Sequence, residues 1–180
     1  MTKDLVSIII PCFNAVEYTK QCIESILKRT NTDYELILIN NGSSDGTIKY
    51  FNDLKRQLKP TEYLKKITIL NFKTNLGVAK ALNLGISKSI GNSICYLNND
   101  VVVTKDWLKK IVKVAKSDKQ IGALGTMFNA FEDKKTIKTV EKNRALIVDI
   151  IAQTISIKNS GKIREAKTIH GLCMFIKSSI

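Results

Sequence analysis

Between Leu5 and Met127 the chain alternates repeatedly between short apolar runs and stretches whose apolar residues recur at helical spacing. Leu5 to Ile10 is almost continuously apolar, as a strand buried on both faces must be, and Pro11 is expected to close it because proline cannot donate to a ladder. Ala15 to Lys28 carries Val16, Thr19, Cys22, Ile23, Ile26 and Leu27 on one helical face, with Asn14 placed to cap it. The pattern then repeats. Tyr34 to Ile39 reads as a strand, Gly46 to Leu58 as a helix capped by Asp45, Lys66 to Leu70 as a strand and Val78 to Ser87 as a helix. Ser93 to Leu97 is a fourth strand, Asp106 to Lys116 an amphipathic helix and Ile121 to Met127 a further apolar segment. Strands joined by helices imply right-handed crossovers, so the pattern predicts an α/β fold with a mostly parallel, doubly wound sheet flanked by helices. Ligands of such sheets gather at the carboxyl ends of the strands.

Beyond Met127 the periodicity weakens. Asn143 to Ile157 suits either a helix or a pair of strands, and Ile169 to Ile176 reads as a last strand. Neither a repeat nor a linker divides residues 1–180, which are therefore expected to form a single domain with one core. With 44% hydrophobic residues the chain is not of the disordered class, and no apolar run approaches the roughly 20 residues that cross a bilayer. Lys3 and Asp4 lead directly into the first strand without a cleavage site, so a cytoplasmic protein is expected, free or at the inner face of the membrane. Cys12, Cys22, Cys95 and Cys173 show neither a C-x-x-C pair nor a histidine at ligand spacing, and are expected to be free core thiols.

The net charge is +13, and all but four of the 29 basic residues are lysine; Arg29, Arg56, Arg144 and Arg164 are the exceptions. Lysine is a flexible point charge, whereas base-edge readout favours the arginine fork, which argues against sequence-specific nucleic-acid binding. A positive field suits anionic ligands or an anionic membrane face.

Each expected strand hands over to a turn of small and polar residues: Pro11-Cys12-Phe13-Asn14, Asn40 to Thr47, Asn71 to Gly77, and Asn98-Asn99-Asp100. Such residues form turns anywhere, but four such turns converging on one edge are what a ligand site requires. Neither G-x-G-x-x-G after the first strand nor G-x-x-x-x-G-K-[ST] is present, which disfavours dinucleotide-dependent oxidoreductases and phosphate-loop nucleotidases. A divalent cation bridging a diphosphate to one carboxylate is the alternative, and Asp100 is the candidate ligand. Gly77 and Lys80 stand at a helix start, where backbone N–H groups and a cation meet anions. Trp107 reads as core packing, and His170, the only histidine, as a structural residue.

Four blocks carry a resemblance: Val6 to Asn14, Leu38 to Thr47 (LINNGSSDGT), Asn75 to Gly85 (NLGVAKALNLG) and Leu97 to Asp100 (LNND). In order and spacing they resemble glycosyltransferase family 2, of the Rossmann-like GT-A fold, and Gly171 to Lys177 resembles the family's later strand. The resemblance implies inverting transfer from a nucleotide diphosphate sugar, a UDP or dTDP sugar in the first instance, to a glycan or lipid-linked acceptor in polysaccharide synthesis, with Mn²⁺ or Mg²⁺. It further implies that Pro11, Cys12, Phe13 and Asn14 lie against the nucleoside, that Asn41 stands where the family's Asp accepts from the base, and that Asn75, Gly77 and Lys80 approach the diphosphate. Asn98-Asn99-Asp100 matches the family's D-x-D motif, with Asn98 near the ribose and Asp100 as metal ligand.

The family's general base lies in an acidic motif downstream of the Gly171 block. None of Glu132, Asp133, Glu141, Asp149 and Glu165 matches it, so no catalytic base is assigned and a donor-binding portion is expected. A non-catalytic nucleotide-sugar module, a sugar nucleotidyltransferase and a basic nucleic-acid binder are the other readings. The nucleotidyltransferase lacks its glycine-rich signature after the first strand.

Overall fold

The structure, a computed structural model, describes residues 4–126, 163–169 and 171–178. The segment Asn143 to Ile157, His170 and the carboxylates Glu132, Asp133, Glu141 and Asp149 lie outside the described residues. Among the described residues six strands form one sheet: β1 (Val6–Cys12), β2 (Tyr34–Asn41), β3 (Leu64–Phe72), β4 (Ser93–Leu97), β5 (Ala123–Gly125) and β6 (Cys173–Lys177). Four helices join them: α1 (Val16–Arg29), α2 (Thr47–Gln57), α3 (Val78–Ile86) and α4 (Trp107–Ser117). Across the sheet the order is β3-β2-β1-β4-β6-β5. β1 to β4 are mutually parallel, and β6 runs antiparallel to both β4 and β5. This is the mostly parallel α/β arrangement expected from the alternation.

Period-two alternation in the central strands sorts side chains onto two layers. Ile8, Ile10, Cys12, Leu36 and Leu38 face α1, α2 and α4, meeting Cys22, Ile23, Ile26, Phe51, Leu54, Leu108 and Ile111 in the larger core. Ile9, Ile37 and Ile39 face α3 and pack on Ala81. Each fully buried Ile or Leu contributes roughly 1.5–3 kcal/mol, so the two inner strands, wholly buried in β2, anchor the fold. Trp107 is 7% exposed and donates its indole N–H to Thr30 Oγ1 at 2.9 Å, the core role expected of it.

Several boundaries differ from expectation. Pro11 does not end β1; it lies inside the strand, opposite Ile39 of β2. The β1–β4 ladder stops at Ile9 paired with Tyr96, so at Pro11 one edge of β1 is already unpaired and the missing N–H is tolerated. Strand β3 extends beyond Lys66–Leu70 at both ends because it follows β2 to the pair Asn41 and Phe72. In the other two apolar segments the described strands are Ala123–Gly125, which pairs with Met174 to Ile176, and Cys173–Lys177, whose length is set by its pairing with the whole of β4.

At the amino edge of the sheet Glu35 is fully buried and accepts from the Ser7 hydroxyl and the Ile90 N–H, both at 2.6 Å, while Ser7 Oγ accepts from the Gly91 N–H at 2.9 Å. These bonds tie β1 and β2 to the turn that enters β4. A hollow of about 170 Å³ between Val6, Ser93, Ala115 and Phe175 opens at this same edge. It is smaller than the roughly 300 Å³ at which ligand pockets begin.

Candidate functional site

After β3 the chain crosses back over β1 to form β4, so the strand order reverses between β1 and β4. That reversal is where doubly wound sheets leave a crevice at their carboxyl edge. The turns after β1, β2 and β4 and the loop before α3 all end there, as the sequence required.

An amide network organises this edge. Asn41, 3% exposed, donates from Nδ2 to Asn75 Oδ1 at 2.9 Å and accepts the Leu76 N–H at 2.9 Å. Asn75 Oδ1 also accepts the Gly77 N–H at 2.8 Å. The end of β2 is thereby clamped to the loop before α3. Two of the N–H groups at that loop are spent inside the protein; Lys80 stands exposed in the first turn of α3. Gly42 makes the clamp possible: its φ is +83°, and a Cβ there would lie 2.6 Å from the Asn75 backbone nitrogen. Asn40 donates to Asn71 Oδ1 at 2.7 Å and accepts the Ser43 N–H at 3.1 Å.

Asn14 does not cap α1. Asn14 and Ala15 both take positive φ, 57° and 60°, which turns the Asn14 side chain toward Ser44, whose N–H it accepts at 2.9 Å. The Val16 N–H that opens α1 instead donates to Asp45 Oδ2 at 2.7 Å, across 29 residues. Asp45 Oδ1 accepts both the hydroxyl, at 2.6 Å, and the N–H of Thr47, at 3.2 Å. One carboxylate thus serves the starts of α1 and α2. Partial desolvation pushes its pKa up, but the bonds from Thr47 and Val16 and its own backbone N–H outweigh this and hold it below the ordinary 3.8.

At the end of β4, Asn98 Oδ1 accepts the Tyr96 hydroxyl at 2.5 Å, and Asn99 Nδ2 donates to Thr19 Oγ1 at 2.9 Å. Tyr96 escaped the sequence reading, yet it lies two residues before Asn98 on the same strand face, the spacing that brings such side chains together. Asp100 is exposed, and no described residue hydrogen-bonds or ion-pairs with its carboxylate. Its charge is felt below. Burial and then Asp100 push the Cys22 thiol up to about 12, and the same two causes raise the Tyr96 phenol. Phe13 stands at the rim 51% exposed, a large ring left uncovered beside Pro11 and Cys12. Cys12 is buried and its thiol is pushed far up, chiefly by desolvation, so it acts as a neutral wall.

The structure therefore brings Pro11, Cys12, Phe13, Asn14, Asn98, Asn99 and Asp100 to the crevice between β1 and β4, with Asn41, Asn75, Gly77 and Lys80 on its β2–α3 side. Among the described residues no three His, Cys, Asp or Glu side chains group to hold a metal. With Asn98 Oδ1 engaged by Tyr96, the donor set among the described residues offers one hard carboxylate, Asp100. That suits an ion of the Mg²⁺ or Mn²⁺ type, which keeps waters and takes its remaining ligands from a phosphate chain.

Comparison with known proteins agrees with this geometry. Among solved structures, the mannosyltransferase PcManGT from Pyrobaculum calidifontis, determined in complex with GDP-Man and Mn²⁺, superposes with a TM-score of 0.66 at 18% identity, covering 96% of this chain and 44% of that one. The fold is GT-A. Among curated proteins, an uncharacterized glycosyltransferase of Haemophilus influenzae is 30% identical over 131 residues, 73% of this chain and 39% of the relative. Chondroitin synthase of Pasteurella multocida is 32% identical over 122 residues, 68% of this chain and 12% of the relative. The chain thus spans well under half the length of these relatives. The family model described as glycosyl transferase family 2 matches residues 7–180, nearly end to end, and on that match the chain belongs to glycosyl transferase family 2.

Proposed function

We propose that the chain binds the donor of an inverting glycosyltransferase, which moves a sugar from a nucleotide diphosphate sugar to a glycan or lipid-linked acceptor in polysaccharide synthesis. One observation carries the reading: an exposed Asp100 carboxylate, without a hydrogen-bond or ion-pair partner among the described residues, stands at the end of β4, where the strand order reverses, opposite loops rich in amides.

Asp100 is the residue that would hold Mn²⁺ or Mg²⁺. When bound, such an ion supplies Lewis-acid neutralisation of the charge that grows on the departing diphosphate. Pro11, Cys12 and Phe13 give the nucleoside an apolar seat, with the exposed Phe13 ring available for stacking. Asn41 Oδ1 already accepts from Leu76 and keeps a second lone pair for a base N–H. Asn98, its oxygen held by Tyr96, turns its Nδ2 donor toward a ribose hydroxyl or phosphate oxygen. Lys80 supplies a positive charge from α3 to the diphosphate. None of these groups is a general base; among the acidic residues outside the crevice Glu165 is exposed and carries no assignment.

Calorimetric titration with UDP, GDP and dTDP, each with and without Mn²⁺, tests the reading. Binding of at least one nucleotide that strengthens with the metal is expected, and Asp100→Ala is expected to abolish the metal-dependent part with the melting temperature unchanged. Silence with all three nucleotides, or titration curves that Asp100→Ala leaves intact, would overturn it.

A further inference from the structure

Helix α4 and its flanks hold six lysines (Lys105, Lys109, Lys110, Lys113, Lys116 and Lys119) against two aspartates. The helix buries Trp107, Leu108, Ile111 and Ala115, and its exposed side is lysine at 109, 110, 113 and 116. Lys109, Lys113 and Lys116 follow one another at intervals of four and three residues, so they stand in one row along the helix. Like charges at that spacing repel, by a few tenths of a kcal/mol per pair in an isolated helix. Asp106 and Asp118 flank the row and leave it with a net positive charge. Asp106 accepts from Asn31 at 2.5 Å and Asp118 Oδ1 from the Gln120 N–H at 2.8 Å. Only Lys116, with Asp4 at 2.5 Å, has an ion pair among the described residues.

We infer that this lysine ridge is a docking surface for an anionic lipid bilayer. The charge pattern favours a sheet of charge over a nucleic acid. The ridge is built of point charges with no arginine fork, and carries none of the exposed large apolar side chains found among the described residues, Phe13, Tyr18, Val78, Ile90 and Ile163. For the same reason nothing on the helix is available to insert among acyl chains, so the attachment is electrostatic and reversible by salt. Asp106 at the start of α4 meets Asn31 just before β2, and Lys116 near its end pairs with Asp4 just before β1, so the ridge lies at the amino edge of the sheet, opposite the crevice.

Co-sedimentation of the full chain with vesicles of phosphatidylcholine alone, or with about 30% phosphatidylglycerol, tests the inference. Binding to the anionic vesicles alone is expected, lost in 1 M salt, where the screening length falls to about 3 Å. Lys109→Glu/Lys113→Glu is expected to weaken it at least tenfold, and the milder Lys109→Gln/Lys113→Gln severalfold. Lys55→Glu/Lys59→Glu, the same charge change at the end of α2, is expected to leave most of the binding. Equal binding to neutral vesicles, equal loss in the α2 variant, or tighter binding to duplex DNA or single-stranded RNA at the same salt would overturn it. The vesicle readout does not depend on the nucleotide titrations, so either can fail alone.

Discussion

Asp45 holds the first N–H of α1 and the first N–H of α2 with its two oxygens. Removing a cap costs about 1 kcal/mol, so Asp45→Ala is expected to lower the melting temperature by roughly 2–4 °C, with solvent screening limiting any larger Coulombic loss. Because the folded carboxyl titrates below the ordinary 3.8, its contribution is complete above that value and disappears as pH falls through the folded one. The gap between wild type and Asp45→Ala is therefore expected to narrow in melts taken progressively below pH 4. Asn14, Asn41, Asn75 and Asp100 were picked out from turn chemistry and from the resemblance, and their placement at the carboxyl edge was legible in the strand-to-turn order. The partner of each amide was not. Asn14 has the right residue type to cap α1, but positive φ at Asn14 and Ala15 removes the extended backbone a cap needs, and nothing local announces that.

Element identity was legible wherever burial on both faces forces an apolar run, as in Leu36 to Ile39; element ends were not, because a ladder stops where its neighbour stops. Pro11 is the clearest instance, compatible with β1 only because β4 has already left it. Helix α3 shows the same dependence on a neighbour. A Cβ at Gly85 would lie 2.6 Å from Ile9 Cγ2 and 2.9 Å from Ile39 Cδ1, so the helix sits on the sheet at a distance only glycine allows. Overpacking of this kind costs about 1–3 kcal/mol. Gly85→Ala is expected to reduce the unfolding free energy by that amount in denaturant titration, and to weaken nucleotide binding as well, since α3 carries Gly77 and Lys80 at its start. A weakened fold with undiminished nucleotide affinity would show that α3 does not position the crevice.

For the molecule as a whole, four cysteines scattered over the sequence come together in the larger core, all buried and all free. The native chain is expected to resist an aromatic disulfide reagent and to yield four reactive thiols once unfolded in guanidinium; labelling of a folded sample would contradict the packing. The crevice itself follows from how the halves of the sheet are joined. Past Ile9, β1 keeps company with β2 as far as Cys12, while β4 leans on β6. The two halves part there like the jaws of a peg hinged lower down. Any guest spanning them sets their spread, so amide exchange is expected to slow together at Cys12 and Leu97, residues 85 positions apart that no ladder connects.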